Sequence, residues 1–158
     1  MSTMVQNYVG GRWRGGSGSE TLAVTNPASG REIGRVPLST GTDVDEAVQA
    51  AKAAYPEWRS TPSPDRARVL FRLKSLLDEH KEDLARLLTT EHGKVIAETR
   101  GEIQRGIENI EHACGIPSMM MGDTVEQIAQ GIDSASWRQP MGVFGIITPY
   151  NFPVMIPL

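Results

Sequence analysis

Near one end of the chain a single amide side chain is set in a tight frame. Asn151 stands between Tyr150 and Phe152 and is fenced by Pro149 and Pro153. It follows Gly142-Val143-Phe144-Gly145-Ile146-Ile147, a near-continuous apolar run that reads as a strand buried on both faces, as in a helix-covered parallel sheet. Thr148-Pro149 ends the run, because proline removes a ladder donor and fixes φ. A neutral donor at the carboxyl end of such a strand lies where open α/β sheets bind ligands. Its NH2 group can donate to an oxygen that gains negative charge during reaction. The same residue also reads as a turn asparagine that satisfies local backbone. On pattern alone both readings stand.

The second candidate lies on a helical stripe. Glu98, Glu102, Arg105, Asn109 and His112 recur at spacings of 4, 3, 4 and 3. Such a stripe reads as a solvated face with i,i+4 pairs. Gly106 after Arg105 thins the helix, however, and lets another backbone or a ligand approach closely. Other reactive side chains carry less. Cys114, the single cysteine, falls on the apolar stripe of the same helix, where a free thiol is a buried packing group and not a nucleophile. His80, His92 and His112 lack metal-ligand spacing, so no metal site is expected. Glu91, Glu98 and Glu102 form no carboxylate dyad, and helix solubility accounts for them.

The elements that must position these residues can be read from periodicity. Tyr8 to Trp13 is a short aromatic strand candidate, and Gly15-Gly16-Ser17-Gly18-Ser19 a flexible turn without a dinucleotide fingerprint. Leu22-Ala23-Val24 and Glu32 to Val36 flank Asn26-Pro27-Ala28-Ser29-Gly30 and suggest a hairpin. Thr42 with Asp45 has capping-box spacing and opens a helix carrying Val44, Ala47, Val48, Ala51, Tyr55 and Trp58, with Pro56 disturbing its last turn. Ser63-Pro64 begins a second helix as N-cap and first helical residue, striped by Val69, Leu70, Leu73, Leu76 and Leu77. His80-Lys81 marks a break, and Gly93 closes the helix after it. From Val95 to Cys114, Ile96, Ile103, Ile107, Ile110 and Cys114 make one apolar face. Val125 to Ala129 and Ser134 to Arg138 alternate as two strands, a hairpin too small to be stable uncovered.

Totals narrow the function classes. The 158 residues suffice for one core, are 39% hydrophobic and 22% charged, and carry a net charge of −3. That balance gives no electrostatic case for nucleic acid or an anionic membrane. No signal-peptide pattern opens the chain and no apolar run is long enough to span a bilayer. One cysteine fits a reducing compartment, with cytosol as the expectation. The ending Val154-Met155-Ile156-Pro157-Leu158 is apolar without a helix-stop residue, as expected of an interrupted chain.

Ile147-Thr148-Pro149-Tyr150-Asn151-Phe152-Pro153 resembles the Pro-(Trp/Phe)-Asn-Phe-Pro signature of the aldehyde dehydrogenase superfamily. Glu91-His92-Gly93-Lys94, Gly101-Glu102-Ile103-Gln104-Arg105-Gly106-Ile107-Glu108-Asn109 and Met119-Met120-Met121-Gly122-Asp123 resemble its methylmalonate-semialdehyde dehydrogenase branch. Tyr150 departs from that branch, which usually carries phenylalanine there.

The resemblance implies an α/β fold: the N-terminal part of an aldehyde-dehydrogenase-like architecture, with hairpins, a helical layer and the start of a Rossmann-type parallel sheet. It places residues 1–118 in the NAD-binding domain, 119–139 at the start of an oligomerisation hairpin, and 140–158 on the first Rossmann-type strand with its asparagine loop. It implies NAD-dependent oxidation of methylmalonate or malonate semialdehyde through a cysteine thioester, with coenzyme A as acyl acceptor. Asn151 would hold the oxyanion and Arg105 the substrate carboxylate, a task suited to a planar, permanently charged fork. Thr148, Pro149 and Tyr150 would line the nicotinamide side of the NAD site, and nucleophile and general base would lie beyond residue 158. A homo-oligomer, dimer or tetramer, is expected. The alternatives are a hydrolytic aldehyde dehydrogenase and a non-catalytic helical interaction module.

Overall fold

In the computed structural model, residues 3–158 are described. The first elements are β1 (Thr3–Met4), β2 (Asn7–Val9), β3 (Arg12–Arg14), β4 (Thr21–Thr25) and β5 (Glu32–Pro37). Four long helices follow: α1 (Gly41–Ser60), α2 (Ser63–Glu79), α3 (Lys81–His92) and α4 (Ile96–Cys114). A short α5 (Ile116–Met119) and the strands β6 (Thr124–Ala129) and β7 (Ile132–Ala135) complete the set.

The region expected as one aromatic strand is a hairpin. Tyr8 pairs with Trp13 across β2 and β3, their ring centroids 4.8 Å apart. Gly10 and Gly11 make the turn at φ +59° and +78°, the paired left-handed geometry that two-residue hairpins favour. The expected β4–β5 hairpin forms, and β1 adds to it in parallel, giving the order β1-β5-β4.

Helix α1 starts two residues earlier than its capping spacing suggested. Asp43, not Asp45, turns back on the cap, accepting the Thr40 N–H at 2.7 Å. It also accepts the Ser17 N–H at 3.0 Å, so the glycine-rich turn is tied to the helix start. These donors, together with the Ser17 hydroxyl, hold the Asp43 carboxyl below its ordinary value. Pro56 is carried within α1, which runs on to Ser60. In α2 the cap falls on Pro62 and Ser63 is already helical, one residue from the expected boundary.

The core lies where α4 crosses α2 and α3. Leu77, Ala85, Ile103, Ile107, Ile110 and Cys114 are its buried members, with Leu70, Leu73, Leu84 and Ile96 packed around them. Ile103 and Ile107 are fully buried, and each such side chain contributes roughly 1.5–3 kcal/mol by leaving water. Cys114 is buried among them, as its stripe predicts. His80 joins α2 to α3, and Gly93 ends α3 at φ +85°.

One expected element does not form. Residues 136–149 contain no strand, and Ile147 is fully exposed. An extended segment becomes a sheet strand only when neighbours pair with its edges, and none of the described strands lies beside this one. The apolar run gives the right composition without the partner. The hairpin of β6 and β7 does form, antiparallel, but its second strand is Ile132–Ala135, displaced toward the turn from the expected Ser134 to Arg138; a bulge lies between Val125 and Ala129, with Gln127 at φ +52°. Every residue of both strands is exposed.

Candidate active site

After Pro149 the chain leaves its extended path and runs as a series of turns over residues 150–157, laid against α4. Gly106 makes that contact possible: a methyl there would lie 3.0 Å from Leu158 Cδ1 and 3.4 Å from Met155 Cα. The close approach expected at Gly106 is therefore made by the chain's own backbone. Val154 and Leu158 pack on the core beneath.

Four side-chain contacts from α4 and from the residue pair before it fix the turns. The Glu102 carboxylate accepts the Val154 N–H at 2.9 Å and the Met155 N–H at 3.3 Å. The Asn109 amide donates to Met155 O at 3.1 Å. Lys94 Nζ donates to Asn151 O at 2.5 Å and to Glu102 Oε2 at 2.6 Å. The same ammonium lies 4.4 Å from the centre of the Phe152 ring, and the Arg105 guanidinium lies 5.3 Å from it. These are cation–π separations.

Glu102 corrects the sequence reading. It was assigned to a solvated stripe, and its side chain is fully buried. Burial pushes its carboxyl upward. The Lys94 ammonium and the Val154 and Met155 N–H groups outweigh that effect and hold it below its ordinary value. Lys94 stands in the Glu91-His92-Gly93-Lys94 block, to which the sequence reading gives no role. A signal was present: Gly106 lies one turn from Glu102, and a backbone drawn close by the glycine brings unpaired N–H groups within reach of that carboxylate.

Arg105 and Asn151, far apart in sequence, line one cleft of about 600 Å³ together with His92, Lys94, Glu98, Gly101 and Phe152. Arg105 is exposed, and its Nε donates to Gly101 O at 3.4 Å. Asn151 is exposed on the cleft lining, its main chain held by Lys94. Tyr150 lines a neighbouring apolar cavity of about 450 Å³ with Leu84, Leu87, Leu88, Pro153 and Val154. Thr148 is half-buried and Pro149 exposed, and neither reaches either cavity. Among the described residues no group of three His, Cys, Asp or Glu side chains gathers as a metal site. No helix among them is long and apolar enough to cross a membrane.

Chemically, the cleft offers the Asn151 amide, the exposed Arg105 guanidinium and the Phe152 face, alongside Glu98, His92 and a Lys94 ammonium already paired with Glu102. That set suits a substrate with a carbonyl at one end and a carboxylate at the other. The aldehyde dehydrogenase family profile matches residues 13–158. The chain belongs to the aldehyde dehydrogenase family. It is 52% identical to malonate-semialdehyde dehydrogenase 1 of Geobacillus kaustophilus over 99% of its own length and 32% of that protein's. Among solved structures, it superposes on methylmalonate-semialdehyde dehydrogenase from Oceanimonas doudoroffii with a TM-score of 0.93 at 43% identity, covering 99% of this chain and 32% of that one. A further match, described as a methylmalonate-semialdehyde dehydrogenase from Sinorhizobium meliloti complexed with NAD, gives 0.95 at 39% identity, with the same 99% and 32% coverage. The chain thus matches the N-terminal part of the aldehyde dehydrogenase fold and spans about a third of the length of these relatives.

Proposed function

We propose that this chain supplies the oxyanion donor and the substrate-carboxylate anchor of an NAD-dependent, coenzyme A-acylating dehydrogenase acting on malonate or methylmalonate semialdehyde. The observation that carries the reading is the convergence of Asn151 and Arg105 on one cleft. Asn151 donates its amide to the carbonyl oxygen as that oxygen becomes negative. Arg105 pairs with the carboxylate at the far end, and the Phe152 ring beside its guanidinium limits the directions the fork can take.

For NAD, Thr148 and Tyr150 stand within three residues of Asn151, and that adjacency along the chain supports a nicotinamide edge there, although neither lines the Asn151–Arg105 cleft. Thr148 offers a hydroxyl and Tyr150 an exposed flat ring, while the glycines of residues 15–18 do not form a dinucleotide fingerprint. NAD, when bound, accepts the hydride. The chain's contribution is to floor that site and to hold the oxyanion beside it. The nucleophilic cysteine is not in this segment, since Cys114 is buried in the helical core. The exposed apolar hairpin of β6 and β7 supports docking on a second copy in a homo-oligomer, and the single cysteine fits a reducing, cytosolic setting.

The test grafts this chain onto the remaining two thirds of the Geobacillus kaustophilus relative. Asn151→Ala in that enzyme should cut kcat by about 10²–10³-fold while NAD binding persists. Arg105→Leu should raise KM for the carboxylated semialdehyde far more than for propanal. Unchanged turnover with Asn151→Ala removes the oxyanion role, and equal responses of both substrates to Arg105→Leu remove the carboxylate role. Rate dependence on added coenzyme A separates the acylating reaction from a hydrolytic one.

A further inference from the structure

The turns that carry Asn151 have almost no hydrogen-bond ladder of their own. Their one internal backbone bond is Ile156 N–H to Phe152 O at 3.3 Å. Their position is therefore set from outside, and one ion pair does most of it. Glu102 is fully buried on α4, while Lys94 sits at the α3–α4 junction with its side chain largely covered. Glu102 Oε1 takes the two successive N–H groups of Val154 and Met155, and Glu102 Oε2 takes Lys94. The same Lys94 ammonium holds the carbonyl of residue 151 itself. The loop is gripped on both sides of its central phenylalanine by groups bonded to each other.

Burying two charges costs desolvation that an apolar pair of similar volume would avoid. What charge supplies here is direction: two N–H groups and one carbonyl are fixed at chosen points. We infer that Lys94 and Glu102 are positioning residues for the Asn151 amide, acting through the backbone of residues 151–155. This rests on the oxyanion reading of Asn151. Neither residue touches substrate in this role. Displacement of a reacting group by about 1 Å costs roughly 10²-fold in rate, so a modest slip of the loop is enough to matter.

The test uses Glu102→Gln, which keeps the shape and removes the charge. One of its two oxygens becomes an NH2, so either Lys94 or the Val154–Met155 amides face a donor instead of an acceptor. Hydrogen–deuterium exchange on the chain reads the grip directly. Exchange at Val154 and Met155 should quicken in Glu102→Gln and stay at the parent rate in Asn151→Ala.

In the grafted enzyme, Glu102→Gln should slow single-turnover NADH formation by about 10–100-fold with NAD affinity kept. In an Asn151→Ala background it should slow the reaction little further, because the group it positions is already gone. Lys94→Met reads the same pair from its other end if Glu102→Gln folds poorly. Unchanged exchange at Val154 and Met155 overturns the proposal. So does full slowing by Glu102→Gln on top of Asn151→Ala, since that effect would not pass through Asn151. Undiminished turnover of Asn151→Ala alone marks a different failure, that of the oxyanion reading, and the positioning role falls with it.

Discussion

Helix α4 and the stretch from β6 to Ile147 are built from similarly apolar sequence and end in opposite states. On α4, Ile103, Ile107, Ile110 and Cys114 are buried, and even the charged Glu102 is enclosed with its hydrogen bonds met. Along the other stretch, Val125, Ile128, Ile132, Phe144 and Ile147 all face solvent. The difference is one of bond geometry. A helix closes its backbone hydrogen bonds within itself and needs only one apolar stripe covered. A strand leaves both edges open and two faces bare until neighbours arrive. In the proposed homo-oligomer, this open apolar surface is where a second copy would dock. Helix α4 is thus covered by its neighbours, while the extended stretch presents surface.

Three experiments would break or sharpen that contrast. The largest effect is expected in the helical layer: Ile103→Ala should destabilise the chain by about 2–5 kcal/mol, seen as a lower urea midpoint. A loss below that range would mean that the α2–α4 contact is not where stability resides.

Acid should act next, through the buried carboxylate. Glu102 is held below its ordinary value when folded, so its contribution is present above the unfolded value and is lost as pH falls through the folded one. Stability measured by urea should therefore decline on the acid side of the usual carboxylate range. Glu102→Gln should flatten that decline relative to the parent. Exposed Asp43 and Glu82 are shifted the same way by their partners, so some acid dependence should remain.

The smallest effect is expected in the open stretch. Ile147→Ser should change the chain's unfolding free energy, measured in urea, by no more than about 0.5 kcal/mol. In the grafted enzyme, where the expected Rossmann-type sheet would supply a parallel neighbour, the same change should destabilise measurably. Equal, small effects in both settings would mean that the apolar run is never covered.

Much of the fold was legible because its signals are local. The α4 face followed from spacings of 7, 4, 3 and 4, and the end of α3 followed from Gly93, which takes φ +85°. Boundaries moved by one or two residues where a distant group competed. Asp43 replaced Asp45 at the start of α1 because Ser17 and Thr40 both reach it. The turn at Gly10-Gly11 was missed because three-residue strands are too short to show alternation.

For the site, residues 105 and 151 stood out in the sequence as an arginine beside a glycine and an amide framed by prolines, while the roles expected of them came from the family resemblance. Their sharing of one cleft is tertiary, as is the enclosure of Glu102. A glutamate on a helix looks the same in sequence whether it meets water or two amides from a segment some fifty positions away. Sequence determines which groups are available and which faces are apolar, through periods of a few residues. Only folding decides which charges lose their water and which amides find them, because that depends on segments remote along the chain meeting in space.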